Sequence, residues 1–140
     1  MREILFRGRA NDGTWYEGSL HKSTNEYPNE TLVSYKIQEF NYGFADEFGF
    51  EPTYMSGFDE FVSAETIGQY TGLTDKNGKK IFEGDIVKGW DVIFTVIFDE
   101  YCRYMIVAGH GNYLLAQNNE DVEVIGNIHD NLELLKGERE

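Results

Sequence analysis

Residues 66–88 decide the fold, and they read TIGQYTGLTDKNGKKIFEGDIVK. β-Branched and aromatic residues occur here in short runs, and Asn77 and Gly78 lie between two of these runs. An Asn-Gly pair in that position predicts a β-hairpin, because both residues accept the positive φ angles of a tight turn. Gly84 and Asp85 predict a second corner, since glycine turns the chain and aspartate accepts nearby backbone N–H groups. The stretch is therefore typical of short antiparallel strands.

Similar turn residues and strand-like runs occur nearer the N-terminus. Asp12 and Gly13 interrupt alternating residues, which predicts a β-hairpin over residues 2–20. Residues 31–38, TLVSYKIQ, predict a third strand. Residues 39–61 are aromatic and acidic and follow neither the helical nor the strand period, so we expect an irregular insertion there.

Beyond residue 88 the apolar runs stay short. Such runs, separated by frequent turn signals, favour a small barrel or sandwich. The predicted fold is therefore mainly β, a small barrel or roll of short antiparallel strands and hairpins with little helix. The remaining predicted elements are strands at 92–99, 103–108, 112–117 and 122–126, and a helical turn at 130–135 capped by Asp130 or Asn131.

The length of the chain, 140 residues, indicates a single domain. Two sub-lobes are expected within it, at residues 1–65 and 66–135, followed by a solvated tail at 136–140. The longest apolar run, residues 92–98, is far shorter than the roughly 20 residues of a membrane helix. No signal-peptide pattern begins the chain, so we expect a cytoplasmic protein with no membrane partner.

The charge of the chain restricts its partners. Twenty-five acidic residues against twelve basic ones give a net charge of −13, which excludes a surface that is electropositive throughout and makes nucleic acid an improbable partner. The one cysteine, Cys102, excludes an intramolecular disulfide framework.

Three blocks carry a resemblance to a known family. The blocks are residues 2–18, which include REILFRG and DGTWYEG; residues 67–87, IGQYTGLTDKNGKKIFEGDIV; and residues 124–135, which begin VIGNIHDN. Together they resemble the YopX family of bacteriophage and prophage proteins. The resemblance implies a mostly β fold related to small SH3-type barrels, carried in a bacterial host cell. It implies no activity, and therefore no functional residue is transferred.

The candidate chemistry of the chain is sparse. The three histidines, His21, His110 and His129, lie far apart in the sequence, and Cys102 is the single cysteine. No metal site, cofactor or catalytic residue is therefore predicted. The chain is accordingly predicted not to be an enzyme. The alternative is a small hydrolase that would use Glu83, Asp85 and either His110 or His129, and it requires two of these side chains to meet in a cleft.

Binding is the class of function that the sequence favours. An exposed strand edge in a small β protein readily pairs with another copy, so we expect a homo-oligomer, and a host or phage protein is a second expected partner. Two alternatives are an acidic mimic of nucleic acid and a weak nucleic-acid site around the lysines. The candidate interaction surface is aromatic, and its residues are Phe44, Phe48, Phe50, Tyr54 and Phe58. The lysines of the nucleic-acid alternative are Lys76, Lys79, Lys80 and Lys88.

Overall fold

The computed structural model describes residues 4–38 and 59–136, which belong to two compact units. The first unit spans Ile4–Gln69, and the second contains the described residues from Tyr70 onward. The strands in both units pair antiparallel, in two sheets. The prediction of a mainly β chain with little helix is thus confirmed. No described helix is long and apolar enough to cross a membrane.

The first unit is built around a long hairpin. Strand β1 (Phe6–Arg9) pairs with β2 (Trp15–Tyr27) on one side and with the first residues of β5 (Gly68–Thr74) on the other, and β3 (Glu30–Gln38) lies between β2 and β4 (Asp59–Val62). The buried apolar residues include Leu5, Ile37 and Val62. Gly8 is required in β1, because a Cβ atom there would lie 2.7 Å from Cγ2 of Val62. A 3-10 turn (Ala64–Thr66) connects β4 to β5.

The elements of the second unit after β5 are β6 (Lys80–Phe82), β7 (Asp85–Gly89), β8 (Val92–Phe98), β9 (Tyr104–Ala108), β10 (Gly111–Leu114), α1 (Leu115–Asn118), a 3-10 turn (Asn119–Asp121), β11 (Glu123–Asn127) and α2 (Glu133–Lys136). Five of the strands form a sheet of order β10-β9-β8-β7-β11, and β6 pairs with β5, the strand that precedes it in the sequence. Alternate residues of β8 face the core, so Phe94 and Val96 are buried whereas Ile97 is exposed. The buried cluster consists of Ile81, Val87, Phe94, Val96, Ile106, Leu115 and Val122.

Several predicted elements differ from the structure. The predicted barrel is not closed, because the edge strands β10 and β11 do not pair with each other in the described sheet. The strand predicted at 112–117 ends at Leu114, where the amide of Asn118 donates to the Leu114 carbonyl (2.7 Å) and the chain turns into α1. The last three residues of the predicted irregular insertion, 59–61, belong to β4, and the rest of the insertion lies outside the described residues.

Three hairpin loops share one backbone geometry. They span Ala10–Thr14, Asp75–Lys79 and Asp99–Arg103. In each loop the first N–H donates to the fifth carbonyl (2.9, 2.8 and 2.8 Å), and the fourth N–H donates to the first carbonyl (3.0, 3.0 and 3.1 Å). This geometry places the fourth residue in the left-handed region. That residue is Gly13 (φ +89°), Gly78 (φ +82°) or Cys102 (φ +62°).

Asp75 joins one of these loops to β11. Its Oδ1 atom accepts the N–H groups of Asn77 (2.8 Å) and Lys79 (2.9 Å), and its Oδ2 atom accepts that of Val124 (2.8 Å). The side chain is buried, with 4% of the residue exposed. Burial raises the pKa of this carboxyl, but the hydrogen bonds from Val124, Lys79 and Asn77 outweigh it, so the pKa lies below its usual value.

We expect Cys102→Gly to stabilise the protein by about 1 kcal/mol, because glycine adopts positive φ without the steric cost that a side chain incurs. The matched change is Gly78→Ala, at the equivalent position of another loop. No atom lies within 4 Å of the added Cβ there, so only backbone strain should lower stability, by about 1 kcal/mol. Urea unfolding measures both changes. A Cys102→Gly protein less stable than the parent would contradict the assignment of strain.

Asp75→Asn should lower the free energy of unfolding by about 2 kcal/mol at pH 7. Whichever way the amide is oriented, its NH₂ group replaces an oxygen that accepts at least one buried N–H. Because the folded-state pKa of Asp75 is lowered, the charged form stabilises above about pH 4 and this contribution is lost as pH falls through the folded pKa. The difference between the two proteins should therefore shrink between about pH 5 and pH 2.

The control for this experiment is Glu120→Gln, which removes one exposed negative charge. Urea unfolding at a series of pH values should show little change for the control at pH 7. A difference between Asp75→Asn and the parent that stays constant across the series would show that the ionised carboxylate does not act as described.

Candidate functional site

A cavity of about 260 Å³ opens among aromatic side chains of the second unit. Strand β8, the β7–β8 and β9–β10 turns at one end of the sheet, and β10 supply most of its wall, and α1 supplies one polar residue. We call this cavity the aromatic pocket. Its lining residues are Trp90, Val92, Phe94, His110, Tyr113 and Asn118.

Phe94 lies at the centre of the aromatic pocket. Its ring meets the ring of Trp90 edge-on at 6.4 Å and the ring of Tyr113 edge-on at 5.9 Å, and His110 lies 6.2 Å away. Edge-on ring contacts stabilise by about 0.5–1.5 kcal/mol each beyond the burial of area. Phe94 is buried, whereas Trp90 is 59% exposed and Tyr113 is 42% exposed. The outer rings therefore expose apolar surface, while their contacts with the central ring fix their positions.

The backbone at Trp90 is strained. Gly89 pairs with Val92, so Trp90 and Asp91 are the two residues of a tight turn between β7 and β8. Their φ angles are +52° and +62°, as in the mirror-image turns that favour Asn-Gly and Asp-Gly. Asp tolerates this conformation, but for a tryptophan it costs about 1–2 kcal/mol. Backbone strain of this kind persists only where the surrounding structure enforces it, and it is found mainly at functional sites.

Close packing beneath the turn holds it in place. A Cβ atom on Gly89 would lie 2.8 Å from Cγ1 of Val122 and 3.2 Å from the carbonyl oxygen of Asp121. Val122 is fully buried, so it has little freedom to move aside. The aromatic pocket thus rests on a rigid part of the second unit, which lowers the entropic cost of binding.

A second cavity of about 350 Å³ lies in the same unit, between the β5 segment and the β8–β9 loop. The polar groups at this cavity bond within the protein: Thr71 Oγ1 donates to the Ile81 carbonyl (2.8 Å), and the Arg103 guanidinium pairs with Asp99 (3.0 Å). Exposed Cys102 stands at its edge. The aromatic pocket is the better candidate, because its rings are exposed and its turn is strained.

Comparison with known proteins places the chain in a family. The model of the family described as YopX protein matches residues 9–136. The chain belongs to the YopX family. The crystal structure of protein EF1440 from Enterococcus faecalis is similar to it, with a TM-score of 0.51 and 22% identity over 96% of this chain and 99% of that one. No curated protein sequence matches the chain.

The aromatic surface expected from the sequence of this YopX protein lies outside the described residues. Phe44, Phe48, Phe50, Tyr54 and Phe58 all fall within residues 39–58. The expectation that they form an interaction surface stays a prediction.

The residues expected to shape turns all lie at turns. Gly84 has a φ of +91° between β6 and β7, and Asp85 Oδ2 accepts the N–H of Phe82 (2.7 Å) at the same corner. In the first hairpin loop, Asp12 Oδ1 accepts the N–H of Thr14 (3.0 Å). That bond lowers the pKa of Asp12. The other expected turn residues, Gly13, Asn77 and Gly78, lie in the loops described above.

The residues of the alternative hydrolase lie near different ends of β7. Asn127 pairs with Asp85, the first residue of that strand, so His129 follows closely after this pairing. His110 belongs instead to the aromatic pocket, which also contains Trp90, the residue after the end of β7. Within residues 4–38 and 59–136, no group of three or more metal-ligating side chains comes together.

Basic side chains of this YopX protein lie over aromatic rings. The guanidinium groups of Arg7 and Arg9 lie 4.9 and 5.9 Å from the ring of Trp15. The ammonium group of Lys80 lies 5.6 Å from the ring of Tyr70. Such cation–π contacts keep these cations close to the protein surface.

Sequence reasoning missed Trp90 and Tyr113. A signal for Trp90 was present, because only the four residues KGWD, at 88–91, separate the apolar residues 86–87 from the apolar run that begins at Val92. A bulky aromatic residue in so short a turn is unusual. Tyr113 had no comparable signal, since its role depends on the pairing of β10 with β9, which places Tyr113 opposite Ile106.

We expect Trp90→Asn to change the free energy of unfolding by less than about 1 kcal/mol, because relief of backbone strain offsets the lost contact with Phe94. Phe94→Ala is the comparison, and it should destabilise by about 3–5 kcal/mol, since it empties part of the core. Thermal and urea unfolding measure both. Equal losses for the two variants would show that Trp90 is a core residue.

Proposed function

We propose that this YopX-family protein is a non-catalytic binding protein whose aromatic pocket receives an apolar side chain of a partner protein. The observation that carries the proposal is the exposed ring of Trp90, which is held in a strained turn. Strain of this kind occurs at binding sites, where the surrounding structure stabilises a conformation that stability alone would not select.

The chemistry of the pocket supports a protein partner. Trp and Tyr are among the residues most often found at the energetic centres of protein interfaces, because they bury large areas with few rotatable bonds. His110, Tyr113 and Asn118 provide hydrogen-bonding groups at the wall, and such groups orient a ligand in a mainly apolar site. The net charge of −13 would attract a positively charged partner and speed its association.

The proposal extends to the biological setting of the protein. We infer that the partner is a host or phage protein, that the chain originates from a phage or prophage, and that it works in the host cytoplasm. We also infer that the protein self-associates. The family resemblance supports these inferences, as it supports an SH3-like arrangement of the second unit.

The test is selection of binding peptides from a random displayed library against the full-length protein. Trp90→Asn should weaken binding of the selected peptides at least about thirtyfold, the equivalent of about 2 kcal/mol for a central interface residue. Asp91→Gly is the matched control, because it alters the same turn and keeps the ring. The dissociation constants can be measured by fluorescence anisotropy of labelled peptides.

A second readout locates the bound peptide. The chain has two tryptophans, Trp15 and Trp90, so Trp15→Phe leaves Trp90 as the sole tryptophan emitter. Saturating peptide should shift its emission to shorter wavelength, because the ring is transferred from water to an apolar contact. Peptides that bind parent and Trp90→Asn proteins equally well, with no spectral shift, would refute the proposal.

A further inference from the structure

The outer part of the long hairpin in the first unit is a two-stranded arm, which we define as residues 20–34. Every residue from His21 to Val33 is exposed, including Tyr27 (53%), Leu32 (50%) and Val33 (46%). Strand β1 reaches β2 only at residues 15–18, and β4 reaches β3 only at residues 35–38. A two-stranded ribbon by itself is marginally stable in water.

One edge of this arm is open along most of β2. Residues 19–27 pair with β3 on one side, and the exposure of residues 21–27 shows that none of the described chain covers the other side. Alternate residues of an antiparallel strand direct their N–H and C=O groups away from the paired neighbour. The outer edge of β2 therefore offers a row of backbone donors and acceptors to another strand.

We propose that this edge pairs with the same edge of a second copy, antiparallel, about a two-fold axis that passes by Thr24. Such an axis is perpendicular to the sheet and keeps each side chain on its own face. Residues that lie opposite each other in the two copies must then both have odd numbers or both have even numbers. The two-fold axis therefore passes by a residue and not between two residues. The choice of centre decides which side chains meet.

Charge complementarity selects Thr24 as that centre. Lys22 of each copy then lies opposite Glu26 of the other, so one dimer gains two ion pairs, and His21 lies opposite Tyr27. Within the arm, Lys22 lies opposite Tyr35 and Glu26 opposite Thr31, so neither charge faces an opposite charge on β3. A centre at residue 22 would instead place the two copies of Lys22 face to face, and like charges in that position destabilise a sheet.

The resulting assembly is a four-stranded ribbon of order β3-β2-β2-β3. It satisfies the backbone groups of the open edge and gives each arm the third strand that it lacks. This inference names the surface for the self-association included in the proposed function and rests on that part of it. It is independent of the aromatic pocket, so Trp90→Asn should leave self-association unchanged.

Two complementary charge variants test the proposal. Lys22→Glu places a carboxylate opposite Glu26 in a homodimer, and Glu26→Lys places an ammonium group opposite Lys22. Each variant alone should weaken self-association by about tenfold or more, since two attractive pairs become repulsive. An equimolar mixture of the two variants should restore the dimer, because each of the two charge pairs in the heterodimer then joins a carboxylate to an ammonium group. Sedimentation velocity over a range of concentrations measures this.

The control is Glu65→Lys, an equal charge change at an exposed position of the same unit, and it should leave the dimer intact. A parent protein that stays monomeric at about 100 µM would overturn the inference. So would a Glu26→Lys protein that dimerises as the parent does, or a mixture that shows no gain over its components. Dimerisation at this edge together with failure of peptide selection would refute only the role of the aromatic pocket.

Discussion

The buried carboxylate of Asp75 is the constraint on which the second unit depends. It accepts N–H groups from its own loop and from Val124, which is 49 positions away in the sequence. Two neighbouring bonds support it, from Lys76 N–H to the Val122 carbonyl (3.0 Å) and from the Asn119 amide to the Thr74 carbonyl (2.8 Å). A buried ion is costly unless hydrogen bonds satisfy it, so this carboxylate specifies where β11 must lie.

The placement of β11 in turn positions the aromatic pocket. Val122 immediately precedes the residue that begins that strand, and its side chain leaves room only for a glycine at position 89. Gly89 ends β7 and leads into the strained turn of Trp90 and Asp91. The hydrogen bonds of Asp75 thus help to position the exposed rings through the close packing of Val122 against Gly89, and no long-range electrostatic effect is needed.

Trp90 and Cys102 both have a strained backbone, but the two residues differ in what their side chains do. Cys102 occupies a position that glycine holds in two loops of the same geometry, and its backbone cost has no visible compensation in ring contacts. Trp90 has a comparable backbone cost, but its ring is held edge-on by Phe94 at the mouth of a cavity. The proposed binding role therefore rests on Trp90, the strained residue that also has an exposed ring.

The turn chemistry of this protein could be derived from sequence alone. Asp-Gly at 12–13, Asn-Gly at 77–78 and Gly-Asp at 84–85 lie at turns because their backbone preferences are local. The two strands on either side of residue 100 could also be predicted from the sequence, because the apolar run of each strand ends at the loop. The same local reasoning extended the strand at 112–117 too far, because the change to helix at Leu115 follows from burial of that residue in the core. The sequence by itself thus determined the mainly β class, the turns at 12–13, 77–78 and 84–85, and the family.

Only the tertiary structure decided that Trp90, Phe94, His110 and Tyr113 form one pocket, and that β2 continues to Tyr27 as an exposed arm. The physical reason is that turn preferences depend on a few adjacent residues, whereas a pocket and an open edge depend on which distant strands pair. Strand pairing is governed by burial and hydrogen bonding across the whole unit, so no single segment of the sequence specifies it.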